Sequence, residues 1–544
     1  VGGLFLFESN LAGYNKRLIT AVAGVLRLYL SKVTFPAVGF GITDLMPSIR
    51  TPKAISCHIT YRLCRRGGSG YATGTQRSGC TMGNGNAVIV VGGGPAALET
   101  ARIGAGRGLH VTLVTGLPVG GRATFGSLLP SKIWLHAAEV HPGAGGTASA
   151  HAAAAPTASA HAGAADGGTA PDIPHITETI AREQQSWSED GAARLESLGV
   201  RIVRGSARIR GAGRLTVTPE SGEEHEVSAD RIVLATGSEP IFYDGMRPDG
   251  ERIIAPRHTQ KLTALPESLT MVGGGVTGCE YALAFAKLGT EVTLLSKSEQ
   301  LLPRTDPEVS QALQAELERL GMTVRTGAAA ASVERTGDAT VVRLQDGNTY
   351  AAEYAFIATG RGPDVEALEQ APERPDQLDG GWIRTDRHGM SSLPWLYAVG
   401  DVTGPPLTAN KAHAEARRAV SHIAGQAEPD QGGPPELIEA VYTQPQVAHI
   451  GPVRELAGRH DLTVYRNDYA DILLPRIHES RRGFFKLWSD PGSDEILGAA
   501  AIGEHAAELL SPVQLAMEHG LTRRQLTETP LAHPTFSELV THVR

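Results

Sequence analysis

Two glycine-rich turns about 180 residues apart constrain this chain more than any other feature. The first, Gly92-Gly93-Gly94-Pro95-Ala96-Ala97, follows the apolar run AVIVV; the second, Gly273-Gly274-Gly275-Val276-Thr277-Gly278, follows SLTMV. A short apolar strand, a tight glycine turn and a helix start together describe a dinucleotide-binding unit. Gly92 permits the turn, and Gly94 lets the main chain approach a pyrophosphate. Ala97 is small enough for close helix–strand packing, and the helix that opens with Pro95 and Ala96 offers the N–H groups that follow the proline to the anion. Gly273, Gly275 and Gly278 repeat these roles, with Val276 and Thr277 opening the second helix. One such turn is weak evidence; two in a single chain predict an α/β fold with two Rossmann-like units.

Each unit continues into a second strand, HVTLV and EVTLL. An acid normally ends that strand and holds a ribose hydroxyl. Thr115 stands there in the first unit, and Ser296 followed by Lys297 in the second. Losing a charged hydrogen bond costs about 1.5–3 kcal/mol, which loosens a cofactor more than it abolishes binding. In the second unit, serine and lysine tolerate a 2′-phosphate that an acid would repel. NADPH is therefore favoured, with NADH as the alternative.

At 544 residues the chain exceeds one core, and its length predicts roughly three domains. Its formal net charge of −8 hides an asymmetry. Residues 1–81 hold ten Lys/Arg and two Asp/Glu, which leaves an acidic body and argues against nucleic acid as a partner. The longest apolar run in that basic segment, 18–30, is interrupted by Arg27 and too short to span a bilayer, so no membrane insertion is expected. The segment reads as a disordered or non-native N-terminal extension. Cys57, Cys64 and Cys80 lie in it and Cys279 alone lies in the body, a pattern that fits a reducing cytoplasm. Residues 141–172 form an Ala/Gly/His tract with TASAHA twice. The ten-residue spacing of His141, His151 and His161 matches no usual ligand pattern, so the tract is read as a solvated insertion and no metal is expected.

Between the two turns lies GGRATFGSLLPSK, residues 120–132. This strip resembles the active-site strip of the FAD-dependent pyridine nucleotide-disulfide oxidoreductases, which runs Gly-Gly-Thr-Cys, four residues, Cys, one residue, Pro-Ser-Lys. Ala123 and Leu128 stand where the cysteines belong. A thiolate is the species that attacks a disulfide or binds mercury, and neither side chain supplies one. Further landmarks of the family follow in order: Ala235-Thr236-Gly237 where its chain leaves the FAD domain, YAFIATGRGPD at 354–364 for the return, LYAVGDVTG at 396–404, and LAHPTFSE near the C-terminus.

The resemblance implies a FAD-binding domain over 82–245, an NAD(P)-binding domain over 246–353, a return to the FAD domain over 354–425, and a C-terminal α+β dimerisation domain over 436–544 beyond a linker. It also implies a homodimer. For FAD it assigns Gly92, Gly94, Pro95, Ala96, Ala97, Thr115, Gly120, Gly121, Lys132, Thr236, Gly237, Asp401 and Ala409. For NAD(P) it assigns Gly273, Gly275, Val276, Thr277, Gly278, Glu280, Ser296, Lys297 and Gly360. Lys132 and Glu280 match an ion pair beside the flavin N5, and His533 with Glu538 matches an acid/base histidine and its orienting carboxylate. A carboxylate on one ring nitrogen fixes the histidine tautomer.

The combination implies a cytoplasmic NAD(P)H oxidoreductase whose electrons leave the flavin without passing through sulfur. Small and aliphatic groups in place of thiols leave an apolar slot suited to a flat quinonoid acceptor. The sequence is similar to the quinone-reductase branch of the family, and disulfide or mercuric reductase activity is not expected. A tailoring flavoenzyme for a specialised metabolite and a redox-silent scaffold are the competing readings.

Overall fold

The computed structural model describes residues 86–140, 171–426 and 436–541. The expectations for segment 1–81, for the histidine tract and for the linker beyond Gln426 fall outside these residues.

AVIVV forms the strand Ala87–Val91, buried along its whole length. Its β-branched residues suit a strand covered on both faces. It lies centrally in a five-stranded parallel sheet, with strands in the order Leu396–Ala398, Arg231–Leu234, Ala87–Val91, His110–Thr115, Arg201–Arg204. SLTMV forms Ser268–Val272 at the centre of a second parallel sheet, ordered Thr323–Arg325, Glu291–Leu295, Ser268–Val272, Tyr354–Ile357, Ile253–Ile254. A third sheet is antiparallel and C-terminal, ordered Glu439–Val441, Gln446–Ile450, Ile496–Gly503, Phe484–Ser489, Thr463–Asp468. Two α/β units and one α+β unit are thus present, the expected fold class.

One boundary needs correction. The strand Tyr354–Ile357 pairs with Ser268–Val272 and belongs to the second sheet, so the return to the first unit begins after Ile357 and not at Tyr354. An apolar run suits either sheet, and periodicity does not distinguish them. The crossing is the antiparallel pairing of Arg361–Pro363 with Ser238–Pro240, which brings the outgoing and returning chains together.

The units also share a core. Trp134, on the helix Leu128–Val140, stacks on Phe285 of the helix Val276–Leu288 at 5.4 Å between ring centroids. Phe356 of the second sheet and Trp488 of the third join the same apolar cluster. The helix that ends the strip is thereby held against the helix that opens at the second glycine turn. No helix among the described residues is long and apolar enough to cross a membrane.

Candidate functional site

The first glycine turn has little room for any other residue. Gly92 has φ +128°, and a Cβ there would lie 2.2 Å from the Ala235 carbonyl oxygen. Gly121 has φ +57°, and a Cβ there would lie 2.8 Å from the amide nitrogen of Gly94. Around Gly94, by contrast, an added Cβ would meet nothing within 4 Å. Pro95 opens the helix Pro95–Gly106, which has no side-chain cap, and Ala97 is fully buried. Open space at an uncapped helix N-terminus is a fit for a pyrophosphate. The second turn repeats the arrangement: Gly273 at φ +124° abuts the Ala358 carbonyl, and Gly275 faces open space. The helix Val276–Leu288 begins without a side-chain cap, Val276 is exposed, and Thr277 is half-buried.

At the strand ends the two hydroxyl residues turn inward. Thr115 is buried, and its Oγ1 donates to the Leu117 carbonyl at 2.7 Å. Ser296 is buried as well, whereas Lys297 is exposed and makes no hydrogen bond or ion pair among the described residues.

Around the first unit, Thr236 Oγ1 donates to the Asp364 carbonyl at 2.5 Å, and the Asp364 amide donates to Gly237 O at 3.1 Å. Gly360 takes the amide of Ile241 at 3.0 Å. Ser238 Oγ donates to Asp401 at 2.6 Å and accepts from Arg361 Nε at 2.7 Å. Burial pulls the Arg361 guanidinium below its ordinary range, and the Asp401 charge opposes that. Ala409 begins another uncapped helix, Ala409–Ile423, and the hydroxyl of the preceding Thr408 is buried without a partner. That unsatisfied hydroxyl and the open helix starts are what a flavin dinucleotide lying along this face would meet, so the residues fit FAD.

The strip itself is a π-helical turn, Ala123–Ser127, continuing into Leu128–Val140. The Leu128 amide donates to the Ala123 carbonyl, the five-residue closure that defines such a turn. Gly120 has φ +110°, and its amide donates to Gly93 O at 2.8 Å, tying the strip to the first glycine turn. Arg122 reaches the other way, to Asp364 at 2.7 Å, Glu239 at 3.2 Å and Thr236 O at 3.3 Å. Two glutamines hold the strip's carbonyls: Gln184 Nε2 donates to Thr124 O at 3.0 Å, and Gln260 Nε2 to Phe125 O at 2.7 Å. Leu128 is 52% exposed, an apolar side chain offered to whatever lies against the strip.

Lys132 and Glu280 come together as expected. Lys132 Nζ lies 2.7 Å from both carboxylate oxygens. Glu280 is only 3% exposed and also accepts the Tyr442 amide at 3.0 Å. The Tyr442 ring sits 4.5 Å from Lys132 Nζ, in cation–π range. Cys279, beside Glu280, is buried 3.6 Å from the Gly274 carbonyl, and burial pushes its thiol up to about 12. It is no nucleophile.

At the C-terminus His533 Nδ1 pairs with Glu538 Oε1 at 2.6 Å, while Glu538 Oε2 accepts the Thr535 amide at 3.2 Å. The His533 side chain is 65% exposed within the single chain. Arg122, Gln184, Gln260, Asp364 and Tyr442 escaped the sequence reading. Only Arg122 carried a local signal, as the cation inside the strip; the others reach the site from distant segments. Among the described residues no group of three or more His, Cys, Asp or Glu could hold a metal ion.

Residues 86–416 match the family described as pyridine nucleotide-disulphide oxidoreductase, and residues 438–544 match its dimerisation domain. A dihydrolipoyl dehydrogenase of Chlorobaculum tepidum is 32% identical over 464 residues, which span 83% of this chain and 95% of that protein. An NAD(P)H dehydrogenase (quinone) of Mycobacterium tuberculosis is 28% identical over 474 residues, spanning 84% of this chain and 92% of that one. The crystal structure of LpdA from Mycobacterium tuberculosis aligns with a TM-score of 0.74 at 26% identity, covering 84% of this chain and 98% of that one. The glycine turns, the strip and the C-terminal domain have one common explanation: this chain belongs to the pyridine nucleotide-disulphide oxidoreductase family, the flavoprotein oxidoreductases that use FAD and NAD(P)H.

Proposed function

We propose that the protein is a homodimeric NAD(P)H oxidoreductase that passes electrons through FAD directly to a small organic acceptor, a quinone, with no disulfide relay. The observation that carries this reading is a strip that keeps the family's frame while Ala123 and Leu128 hold the two sulfur positions. FAD, when bound, supplies two-electron exchange between a nicotinamide and a second substrate.

The chain's own residues would do the rest. The first glycine turn, Asp401 and the helix start at Ala409 bind FAD; the second turn binds the nicotinamide dinucleotide. Lys132, its charge balanced by buried Glu280, presents a fixed cation that favours arriving negative charge. Exposed Leu128 gives the acceptor an apolar wall. A quinone takes up two protons with its two electrons, and His533, with its tautomer fixed by Glu538, would supply one of them across the dimer. Lys297 beside buried Ser296 favours NADPH. The similarity to a relative named as a quinone-reducing NAD(P)H dehydrogenase supports this acceptor class. The relatives named as dihydrolipoyl dehydrogenases support the frame, but this strip has no thiol to serve a dithiol substrate.

An anaerobic NADPH titration followed by a screen of oxidants tests the reading. The yellow protein should bleach with NADPH and recover its colour with quinones, while lipoamide and glutathione disulfide leave it reduced. A colourless protein that takes up no FAD, or brisk turnover of a disulfide, would overturn it.

A further inference from the structure

We propose that Gln184 and Gln260 form a paired amide clamp that sets the shape of the strip, supplying without covalent chemistry the restraint a disulfide would give. They are positioning residues, and only the kinetic part of the test below rests on the acceptor reading above.

The strip's main-chain carbonyls can be accounted for almost in turn. Ser127 Oγ donates to Arg122 O at 3.2 Å, the Leu128 amide closes on Ala123 O, and Ser131 Oγ donates to Leu128 O at 3.0 Å. Between them, the Thr124 and Phe125 carbonyls take their side-chain donors from outside the strip, from the two glutamines. Gln184 is buried on the helix Ile173–Ser197; Gln260 lies on the short 3-10 helix Pro256–Lys261, in the segment entering the second unit. The strip is thus held from two sides, by elements remote from each other in sequence.

The two amides also fix each other. Gln184 Nε2 donates to Gln260 Oε1 at 3.0 Å, so its two protons serve the partner amide and the Thr124 carbonyl. Gln260 Nε2 then donates one proton to Phe125 O at 2.7 Å and the other to the Arg257 carbonyl of its own short helix at 3.3 Å. An amide has two donors on one nitrogen, and in each glutamine one of the two is spent on a carbonyl of the strip. Replacing either glutamine by an apolar residue of similar length removes a carbonyl's donor, and at buried Gln184 and Thr124 water does not readily substitute.

The closure from Leu128 to Ala123 adds a geometric consequence. Residues 123 and 128 are joined by a main-chain hydrogen bond, so their side chains leave adjacent turns of the same face. A clamped strip keeps those two positions within reach of a covalent bridge; a released one lets them drift.

The test uses FAD-bound protein carrying Ala123→Cys and Leu128→Cys, alone or with Gln184→Met or Gln260→Met. Each protein is equilibrated in glutathione redox buffers and the bridged fraction counted by mass spectrometry. Flavin content and far-ultraviolet circular dichroism check that the fold persists. The bridge should form in the first protein, and its equilibrium constant should fall at least tenfold with either methionine. No bridge in the first protein, or equal bridging in all three, would overturn the clamp. In the natural strip, each methionine should slow flavin reoxidation by a quinone at least tenfold more than flavin reduction by NADPH. Equal slowing of both would mean a general structural role and would also overturn it. If the unsubstituted protein does not reduce quinones at all, the acceptor reading falls and the bridge measurement still decides the clamp.

Discussion

The two glycine turns can be laid over one another with a constant offset of 181 residues, from 92 to 273, 99 to 280 and 115 to 296. Their main chains are nearly the same: φ is +128° at Gly92 and +124° at Gly273, and a Cβ at either would lie 2.2 Å from the carbonyl oxygen of the residue just past a neighbouring strand, Ala235 or Ala358. Their buried acids, however, face different partners. Glu99 is held by Arg102 at 2.8 Å and by Arg417 of the helix Ala409–Ile423 at 3.3 Å. Glu280, at the equivalent place, is held by Lys132 from the strip. One carboxylate fastens a helix to its neighbour within its own unit, and the other fastens the second unit to the strip. Sterics fix the turn in both copies, while the partner chosen by the equivalent acid separates a pair within one unit from a pair that reaches the strip.

The comparison breaks most sharply at the third position. A Cβ at Gly278 would sit 1.7 Å from the Gly273 carbonyl oxygen, whereas the equivalent Ala97 already carries one. Gly278→Ala should therefore cost about 4 kcal/mol or more, or prevent folding, as expected for a backbone collision. Ala97→Gly should cost about 1 kcal/mol. Urea midpoints and nicotinamide binding check both, and similar costs would remove the asymmetry. The acids come next. Lys132→Met strands a buried carboxylate; because the Lys132 side chain is a third exposed, about 2–3 kcal/mol is expected in place of the full penalty. Flavin reduction by NADPH should slow by about a hundredfold. Arg102→Met leaves Glu99 with Arg417 and should cost less than about 1 kcal/mol, with little kinetic effect.

This difference also marks how far the sequence could be read. The turns were legible because their signal is local, a run of glycines directly after a short apolar run, although the carbonyls that exclude a Cβ at 92 and 273 belong to the distant Ala235 and Ala358. The Lys132–Glu280 pair was legible through resemblance, since 148 positions separate its members. The π-helical turn was not, because nothing in ATFGS sets it apart from an ordinary helical turn. Gln184 and Gln260 look like surface polar residues until the tertiary fold brings carbonyls to them. The sheet membership of Tyr354–Ile357 escaped for a related reason, because a buried strand carries no mark of its neighbours. Thr115 and Ser296 do end the second strand of each unit, but their burial follows from packing there and carried no mark in the sequence.

A smaller effect tests whether the two turns divide the cofactors as proposed. Lys297 is exposed beside the second turn, and the first turn has Gly116 at the equivalent place. Lys297→Glu should lower kcat/KM for NADPH relative to NADH by about tenfold, or about 1.4 kcal/mol. FAD content should stay the same, since the substitution touches only the second turn. An unchanged ratio would assign nicotinamide choice to other residues.

Glu99 itself carries a small, pH-dependent effect. Hydrogen bonding to Arg102, ahead of the charge of Arg102 and the bond to Arg417, holds its carboxyl below the usual carboxylate range against the opposing effect of burial. A carboxyl with a depressed folded-state pKa contributes stability above its unfolded pKa, and the contribution fades as the pH falls through the folded value. Glu99→Gln should thus cost about 1 kcal/mol near neutral pH and progressively less toward about pH 3, because protonation weakens the same pair in the parent. Urea unfolding across that range measures the convergence. Parallel curves would mean that the two arginines contribute little to holding this acid, and that the structural half of the comparison rests on packing between Pro95–Gly106 and Ala409–Ile423 instead.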